Sequence, residues 1–233
     1  MPQLTFERVE KKYLLTPAQL DALTPLLHRY MQIDQYGRHT ICNVYYDTPD
    51  YRLIRTSLQK PVYKEKLRLR SYGVPGPGDT VFVELKKKYR GVVYKRRTAL
   101  ELTAAERWLA GDGPAPEGQI AREIEYFQSL YRTDPAVFLA YDRAAMFGRQ
   151  DPDLRLTLDE NIRWRTDALA LSAGDRGSPL SVQGLYLMEV KLPGVMPLWL
   201  AHGLAQVGAA PVSFSKYGCC YREFLREDVR HAG

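Results

Sequence analysis

The stretch that decides the reading is Lys64-Glu65-Lys66-Leu67-Arg68-Leu69-Arg70. Side chains alternate faces along a strand, so Lys64, Lys66, Arg68 and Arg70 share one face, with Glu65, Leu67 and Leu69 on the other. The same period of two recurs outward from it. Over Val81–Lys88 the faces are Phe82, Glu84, Lys86 and Lys88 against Val81, Val83, Leu85 and Lys87. Over Leu154–Trp164, Arg155, Thr157, Asp159, Asn161 and Arg163 oppose Leu154, Leu156, Leu158, Ile162 and Trp164, interrupted by Glu160. Glu189 and Lys191 oppose Tyr186, Met188, Val190 and Leu192, and the first segment puts Arg8, Glu10 and Lys12 together.

This period predicts strands over roughly 6–15, 39–47, 62–72, 80–89, 92–102, 136–147, 154–164 and 183–192, about eight in all. Helical patterns cover 17–30, where Thr16-Pro17 supplies an N-cap and a first helical residue, and stretches near 103–110, 119–131, 197–207 and 219–229. Three loops rich in Gly and Pro or Ser, at 73–79, 111–118 and 172–181, are short enough to connect elements within one domain. We therefore expect one α+β domain over residues 1–233. Its expected architecture is a closed antiparallel eight-stranded β-barrel tunnel, basic inside, with its apolar sides against helices.

Lys and Arg number 33 against 27 Asp and Glu, a net charge of +6, and 45% of residues are apolar, enough to bury a core. The predicted polar faces, with Lys95, Arg97 and Arg143, carry many more cations than anions. A solvated face ordinarily mixes signs, because like charges opposite one another repel. Arginine also suits bidentate binding of phosphate. Repeated cations at period two make sense if several strands aim them at one polyanion. Glu10, Glu84 and Glu189 then sit among cations, either balancing charge through ion pairs or holding a hard divalent ion.

Other chemistries lack their residues. There is no GxxxxGK[ST], no GxGxxG after a strand, no GxSxG and no HExxH. His28, His39, His202 and His231 are scattered, and Cys42, Cys219 and Cys220 form neither a disulfide framework nor a zinc spacing. With no apolar run of transmembrane length and no signal-peptide core after Met1, a cytoplasmic setting is expected.

The chain resembles the triphosphate tunnel metalloenzymes, and within them the polyphosphate polymerase domain of the vacuolar transporter chaperone (VTC) complex. The resemblance rests on an ordered set of segments: Arg8-Val9-Glu10-Lys11-Lys12-Tyr13, Tyr45-Tyr46-Asp47-Thr48, Lys66 to Gly73, Val83-Glu84-Leu85-Lys86 and Lys95-Arg96-Arg97. It continues through Tyr141 to Met146, Arg155 to Asp159, Glu189-Val190-Lys191 and Ser213 to Tyr217. It implies an eight-stranded tunnel, manganese or magnesium, and transfer of the ATP γ-phosphate to polyphosphate. Arg68, Arg70, Lys86, Arg143, Arg155 and Lys216 match its catalytic cations, and Lys12, Lys66, Lys95, Arg97 and Lys191 its substrate contacts. Glu189 and Glu10 match its metal-holding positions. Arg8 departs from the ExExK signature of the wider group, which suits the VTC-like branch.

The implied partners are ATP, polyphosphate, pyrophosphate or triphosphate, and a membrane partner not identified by the sequence; no nucleic acid is expected, because the Arg-rich face at Lys66–Arg70 carries no stacking aromatics. An inorganic or nucleoside triphosphatase, or a polyphosphate-binding module without catalysis, would use the same basic lining.

Overall fold

The computed structural model describes residues 9–90, 92–192 and 194–226; Arg8, counted above with the first strand, lies outside them. The order of elements is β1 (Val9–Leu15), α1 (Pro17–Tyr30), β2 (Met31–Asp47), α2 (Arg52–Leu58), β3 (Tyr63–Tyr72), β4 (Thr80–Tyr89), β5 (Val92–Glu101), α3 (Leu102–Ala110), α4 (Gln119–Tyr131), β6 (Asp134–Gly148), β7 (Arg155–Arg165), β8 (Ser178–Pro179), β9 (Tyr186–Leu192), α5 (Leu198–Gln206) and α6 (Lys216–Cys220), the last continued by a π-helical turn over Tyr221–Leu225. The fold is α+β, with antiparallel ladders throughout the pairings of β1 with β9, β9 with β7, and β2 through β5.

The chain packs as two compact units. The first takes residues up to His39, Tyr141–Ile162 and Ser181–Phe214; the second takes Thr40–Ala140, Arg163–Leu180 and Ser215 onward. The first three changes of unit fall inside the long strands β2, β6 and β7, and the next, between Leu180 and Ser181, falls in the predicted loop at 172–181.

In the first unit the strand order is β1-β9-β7-β6-β2. The apolar faces behave as the alternation requires: Tyr13 and Leu15, Leu156, and Met188, Val190 and Leu192 are buried together with Leu23 and Leu27 of α1 and Leu200 and Leu204 of α5. Helix α1 starts where Thr16-Pro17 predicts. Thr16 Oγ1 accepts from Gln19 N at 3.2 Å, and Gln19 Oε1 accepts from Thr16 N at 2.9 Å, a reciprocal capping box. Tyr30 stacks on Trp199 of α5 with ring centroids 4.6 Å apart.

In the second unit the order is β6-β2-β3-β4-β5, with β8 on β7. Leu67 and Leu69 of β3 and Val81, Val83 and Leu85 of β4 are buried against Ala105, Trp108 and Leu109 of α3 and Ala121, Ile124 and Phe127 of α4. Burying each such side chain is worth about 1.5–3 kcal/mol, and together these contacts fix which face of β3 and β4 is left for charge.

The closed eight-stranded barrel is corrected. The hydrogen-bonded path starts at β1 and ends at β5, with no ladder joining those two among the described residues, and it has nine strands because the two-residue β8 pairs with β7. The second edge of β1 is occupied by the chain's own 211–214 segment. Tyr13 bridges Pro211, Val212 N donates to Lys12 O at 2.7 Å, and Lys12 Nζ donates to Phe214 O at 3.1 Å.

The turn from β6 to β7 is tight. A Cβ on Gly148 would lie 2.5 Å from the Asp151 carbonyl oxygen and 3.3 Å from Leu154 Cβ. Because the obstacle is backbone, Gly148→Ala is expected to destabilise the protein by about 1–3 kcal/mol. Urea unfolding checks this, and a midpoint equal to wild type would show that the turn relaxes without cost.

Candidate functional site

The second unit carries a built cationic face. The ladders place Lys66 opposite Lys86 and Lys86 opposite Lys95; one step on, Arg68 opposes Glu84 and Glu84 opposes Arg97; beyond that Arg70 opposes Phe82. These six cations share a sheet face with the buried Glu84; Lys64 and Lys88 extend the face at one end, and the exposed Glu101 lies on it at the other.

Glu84 sits on the middle strand with its side chain 1% exposed, and its two oxygens divide the cations. Arg68 Nε donates to Oε2 at 2.8 Å, with Nη2 2.6 Å from the same oxygen and Arg70 Nε at 3.8 Å. Lys95 Nζ lies 2.7 Å from Oε1, and Arg97 Nε 3.8 Å from it. Burial by itself raises the Glu84 pKa, but the charges of Arg68, Arg70 and Lys95 outweigh it and bring the carboxyl from its ordinary 4.5 to about 2. For Lys95, burial is the largest influence and the pKa falls despite Glu84.

Neighbouring groups aim these cations. Arg70 Nε donates to Asn43 Oδ1 at 2.9 Å, while Asn43 Nδ2 donates to Leu139 O at 3.1 Å. Arg68 Nη1 donates to the Tyr45 hydroxyl at 3.1 Å. The Arg97 guanidinium lies 3.3 Å over the Phe82 ring, and its buried Nε has no hydrogen-bond acceptor among the described residues. Lys66 Nζ donates to Ser215 Oγ at 3.3 Å, which brings β3 beside Lys216 at the start of α6. Lys64 is driven below its ordinary pKa by burial, then by Lys88, Lys86 and Lys60.

The first unit carries a smaller cluster of mixed sign. The ladders place Glu10 opposite Lys191 and Lys191 opposite Arg155; the next row is Lys12, Glu189 and Thr157. Lys12 Nζ lies 3.3 Å from Glu10 Oε1 and 3.1 Å from Glu189 Oε1. Burial lowers the Lys12 pKa, but the two carboxylates raise it more, so the ammonium is held charged. Arg143 is bound through Nε and Nη2 to both oxygens of the fully buried Asp159, at 2.6 and 2.7 Å. Arg155 is exposed, and its Nε donates to Pro152 O at 2.9 Å.

No group of three or more His, Cys, Asp or Glu able to hold a metal occurs among the described residues. The pair Glu10 and Glu189, brought together by Lys12, nonetheless fits magnesium or manganese, which take one or two protein carboxylates and complete their shell with phosphate oxygens and water. The hydroxyl of Thr157, opposite Glu189, is buried without a hydrogen-bond partner among the described residues.

The VTC domain family profile matches residues 7–225. The chain belongs to the VTC domain family. Among solved structures, a candidate adenylate cyclase from Bacillus halodurans aligns with a TM-score of 0.58 at 17% identity, over 93% of this chain and 97% of that one. A candidate adenylyl cyclase from Hippeastrum, described as revealing a dominant triphosphatase activity, aligns with a TM-score of 0.51 at 17% identity, over 92% and 95%. At that identity the likeness is one of fold. No curated protein matches the chain. Among the described residues no helix is long and apolar enough to cross a membrane.

Of the site residues expected from this VTC domain's sequence, the second unit gathers Lys66, Arg68, Arg70, Lys86, Lys95 and Arg97 on one face, with Lys216 beside Ser215. The first gathers Glu10, Lys12, Glu189, Lys191 and Arg155 on adjacent strands, while Arg143 is engaged by Asp159. Sequence reasoning missed Asn43, Asp159 and the pair Asp47–Tyr217 as supports. Alternation could have found Asn43, which lies two residues from Tyr45 on the same face; the Asp47–Tyr217 pair is separated by 170 residues and has no local signal.

Glu84→Gln is expected to cost about 3 kcal/mol at neutral pH, because it removes the buried charge on which Arg68, Arg70, Lys95 and Arg97 converge. Arg68→Ala should cost less, since three cations still flank Glu84. The folded pKa lies below the unfolded one, so Glu84 contributes its stability above about 4.5 and loses it as pH falls toward about 2. Chemical denaturation between pH 7 and 2 should show an acid limb in the wild type that is shallower in Glu84→Gln. Identical limbs would mean that Glu84 does not hold the face together.

Proposed function

We propose that this VTC domain is a phosphotransferase of the polyphosphate polymerase kind, using ATP as donor and a polyphosphate end as acceptor. One observation carries the reading. Among the described residues of β3 to β5, eight cations share a sheet face with one buried carboxylate, Glu84, an excess that a polyanion would neutralise. Phosphoryl transfer asks a protein for positioning and charge stabilisation more than for a side-chain nucleophile.

In the proposed reaction a terminal phosphate oxygen of the acceptor attacks the γ-phosphorus of ATP. A new P–O–P bond forms, the bond from the γ-phosphorus to its bridging oxygen breaks, and ADP leaves. Arg68, Arg70, Lys86, Lys95 and Arg97 bind and orient phosphate oxygens, with Lys66 and Lys216 at one end of the face. In the first unit Glu10 and Glu189 would hold a divalent ion, whose chemistry is the neutralisation of phosphate charge. The triphosphatase described for the Hippeastrum neighbour is the second reading: the same lining serves if water replaces the phosphate acceptor.

The test is to incubate the pure protein with ATP and manganese and size the products on a gel. A ladder of polyphosphate supports the polymerase, phosphate without polymer supports the triphosphatase, and unaltered ATP overturns both. In the same assay, Glu189→Gln is expected to retain ATP binding but lose about a hundredfold in turnover with its manganese dependence. Wild-type rate and wild-type metal dependence in that variant would return Glu189 to a charge-balancing role.

A further inference from the structure

Behind Arg68 in the second unit lies a hydrogen-bonded and stacked chain that reaches a part of the sequence distant from β3. The Asp47 carboxylate is buried at the end of β2. Its Oδ1 accepts from Thr48 N and Leu53 N, both at 2.8 Å, and its Oδ2 accepts from Ile54 N at 3.0 Å, so it fixes the start of α2. The Tyr217 hydroxyl donates to the same Oδ2 at 2.8 Å. The Tyr217 ring then stacks on Tyr45, with centroids 4.8 Å apart and planes 27° from parallel. The Tyr45 hydroxyl accepts from Arg68 Nη1 at 3.1 Å, and Arg68 reaches Glu84 through Nε and Nη2.

We propose that Tyr45 and Tyr217 are positioning residues, which hold Arg68 in one orientation for a phosphate ligand through the fixed chain Asp47–Tyr217–Tyr45–Arg68. An arginine side chain has several rotatable bonds and its order is costly. Glu84 anchors one edge of the guanidinium through Nε and Nη2, both on the same carboxylate oxygen. The Tyr45 hydroxyl holds the opposite end of the guanidinium, at Nη1. Tyr45 is itself held by its neighbour's ring, and that ring cannot slide while its hydroxyl is tied to Asp47. The carboxylate is in turn pinned by three backbone N–H groups, so the series ends on rigid main chain. Burial, followed by the Asp47 charge, raises the Tyr217 pKa well above its ordinary value, which keeps the hydroxyl a proton donor at any working pH.

The role for a phosphate ligand rests on the function proposed above; the holding of Arg68 does not, and the experiment reads the two separately. In protein carrying isotope-labelled arginine, with the signal assigned by Arg68→Lys, the Arg68 Nε–H resonance of the unliganded wild type is expected to be sharp and slow to exchange with solvent. In Tyr217→Phe, which keeps the ring and removes only the hydroxyl, it should broaden or vanish while backbone amides away from α6 and α2 keep their wild-type positions. Tyr45→Phe, a smaller disturbance to the fold, should do the same. An unchanged Arg68 resonance in both variants overturns the proposal. For tripolyphosphate binding followed by calorimetry, each variant is expected to lose about fivefold in affinity and the double variant little more than either, because both act through one group. Losses that simply multiply would show independent roles and overturn the shared chain. A wild-type protein that keeps a sharp Arg68 signal but binds no tripolyphosphate would overturn the proposed function and the phosphate role given to Tyr45 and Tyr217, leaving the holding of Arg68 to be judged on the resonance.

Discussion

The buried carboxylate of Glu84 organises the charged sheet face of the second unit. Glu84 lies on the middle of three strands, and an isolated carboxylate in so dry a position would be prohibitively costly. Cations on both sides meet that cost: Arg68 and Arg70 from β3, and Lys95 and Arg97 from β5. The arrangement works in the other direction as well. Four like charges on adjacent strands would repel if Glu84 were absent. One carboxylate is enough to let them coexist and too little to neutralise them. The face is therefore stable when empty and still electrically unfinished, which is the condition for binding a multiply charged anion.

The first unit uses the same residue types to a different end. Lys12 stands between Glu10 and Glu189, so there the carboxylates outnumber the ammonium that joins them. Arg143 has its Nε and Nη2 committed to Asp159. One unit thus leaves positive charge in excess on its sheet face, while in the other two carboxylates share one ammonium.

Much of this was legible because strands announce themselves twice, once by period and once by polarity. The alternation at Lys64–Arg70 and at Val81–Lys88 located β3 and β4 and assigned their faces correctly, since the apolar residues had nowhere to go but the helices. Helix α1 was legible to the residue because Thr16, Pro17 and Gln19 encode its start chemically. Helix α2 was not, because its start is fixed by Asp47 and Thr48 and it is too short to show a period. Barrel closure could not be read either. Which strands meet at the edges depends on distant segments, and the 211–214 segment that occupies the edge of β1 has no strand pattern of its own. The cations of the candidate site are those that parity and family resemblance single out. The geometry that sorts them was not legible: Arg143 and Arg70 look alike in sequence, yet one is committed through two nitrogens to a buried aspartate and the other is held by an asparagine beside a shared glutamate.

The central claim is that the β3–β5 face is an unfinished charge arrangement completed by a chain of phosphates. The most direct measurement is the thermal stability of the unmodified protein in sulfate, phosphate, pyrophosphate and tripolyphosphate at matched ionic strength. Ligands that bind only the native state raise its melting temperature by mass action. The account predicts a rise that grows with each added phosphate and is largest for tripolyphosphate. Equal shifts from sulfate and tripolyphosphate would contradict it, because a surface that counts no phosphates is only a patch of positive charge.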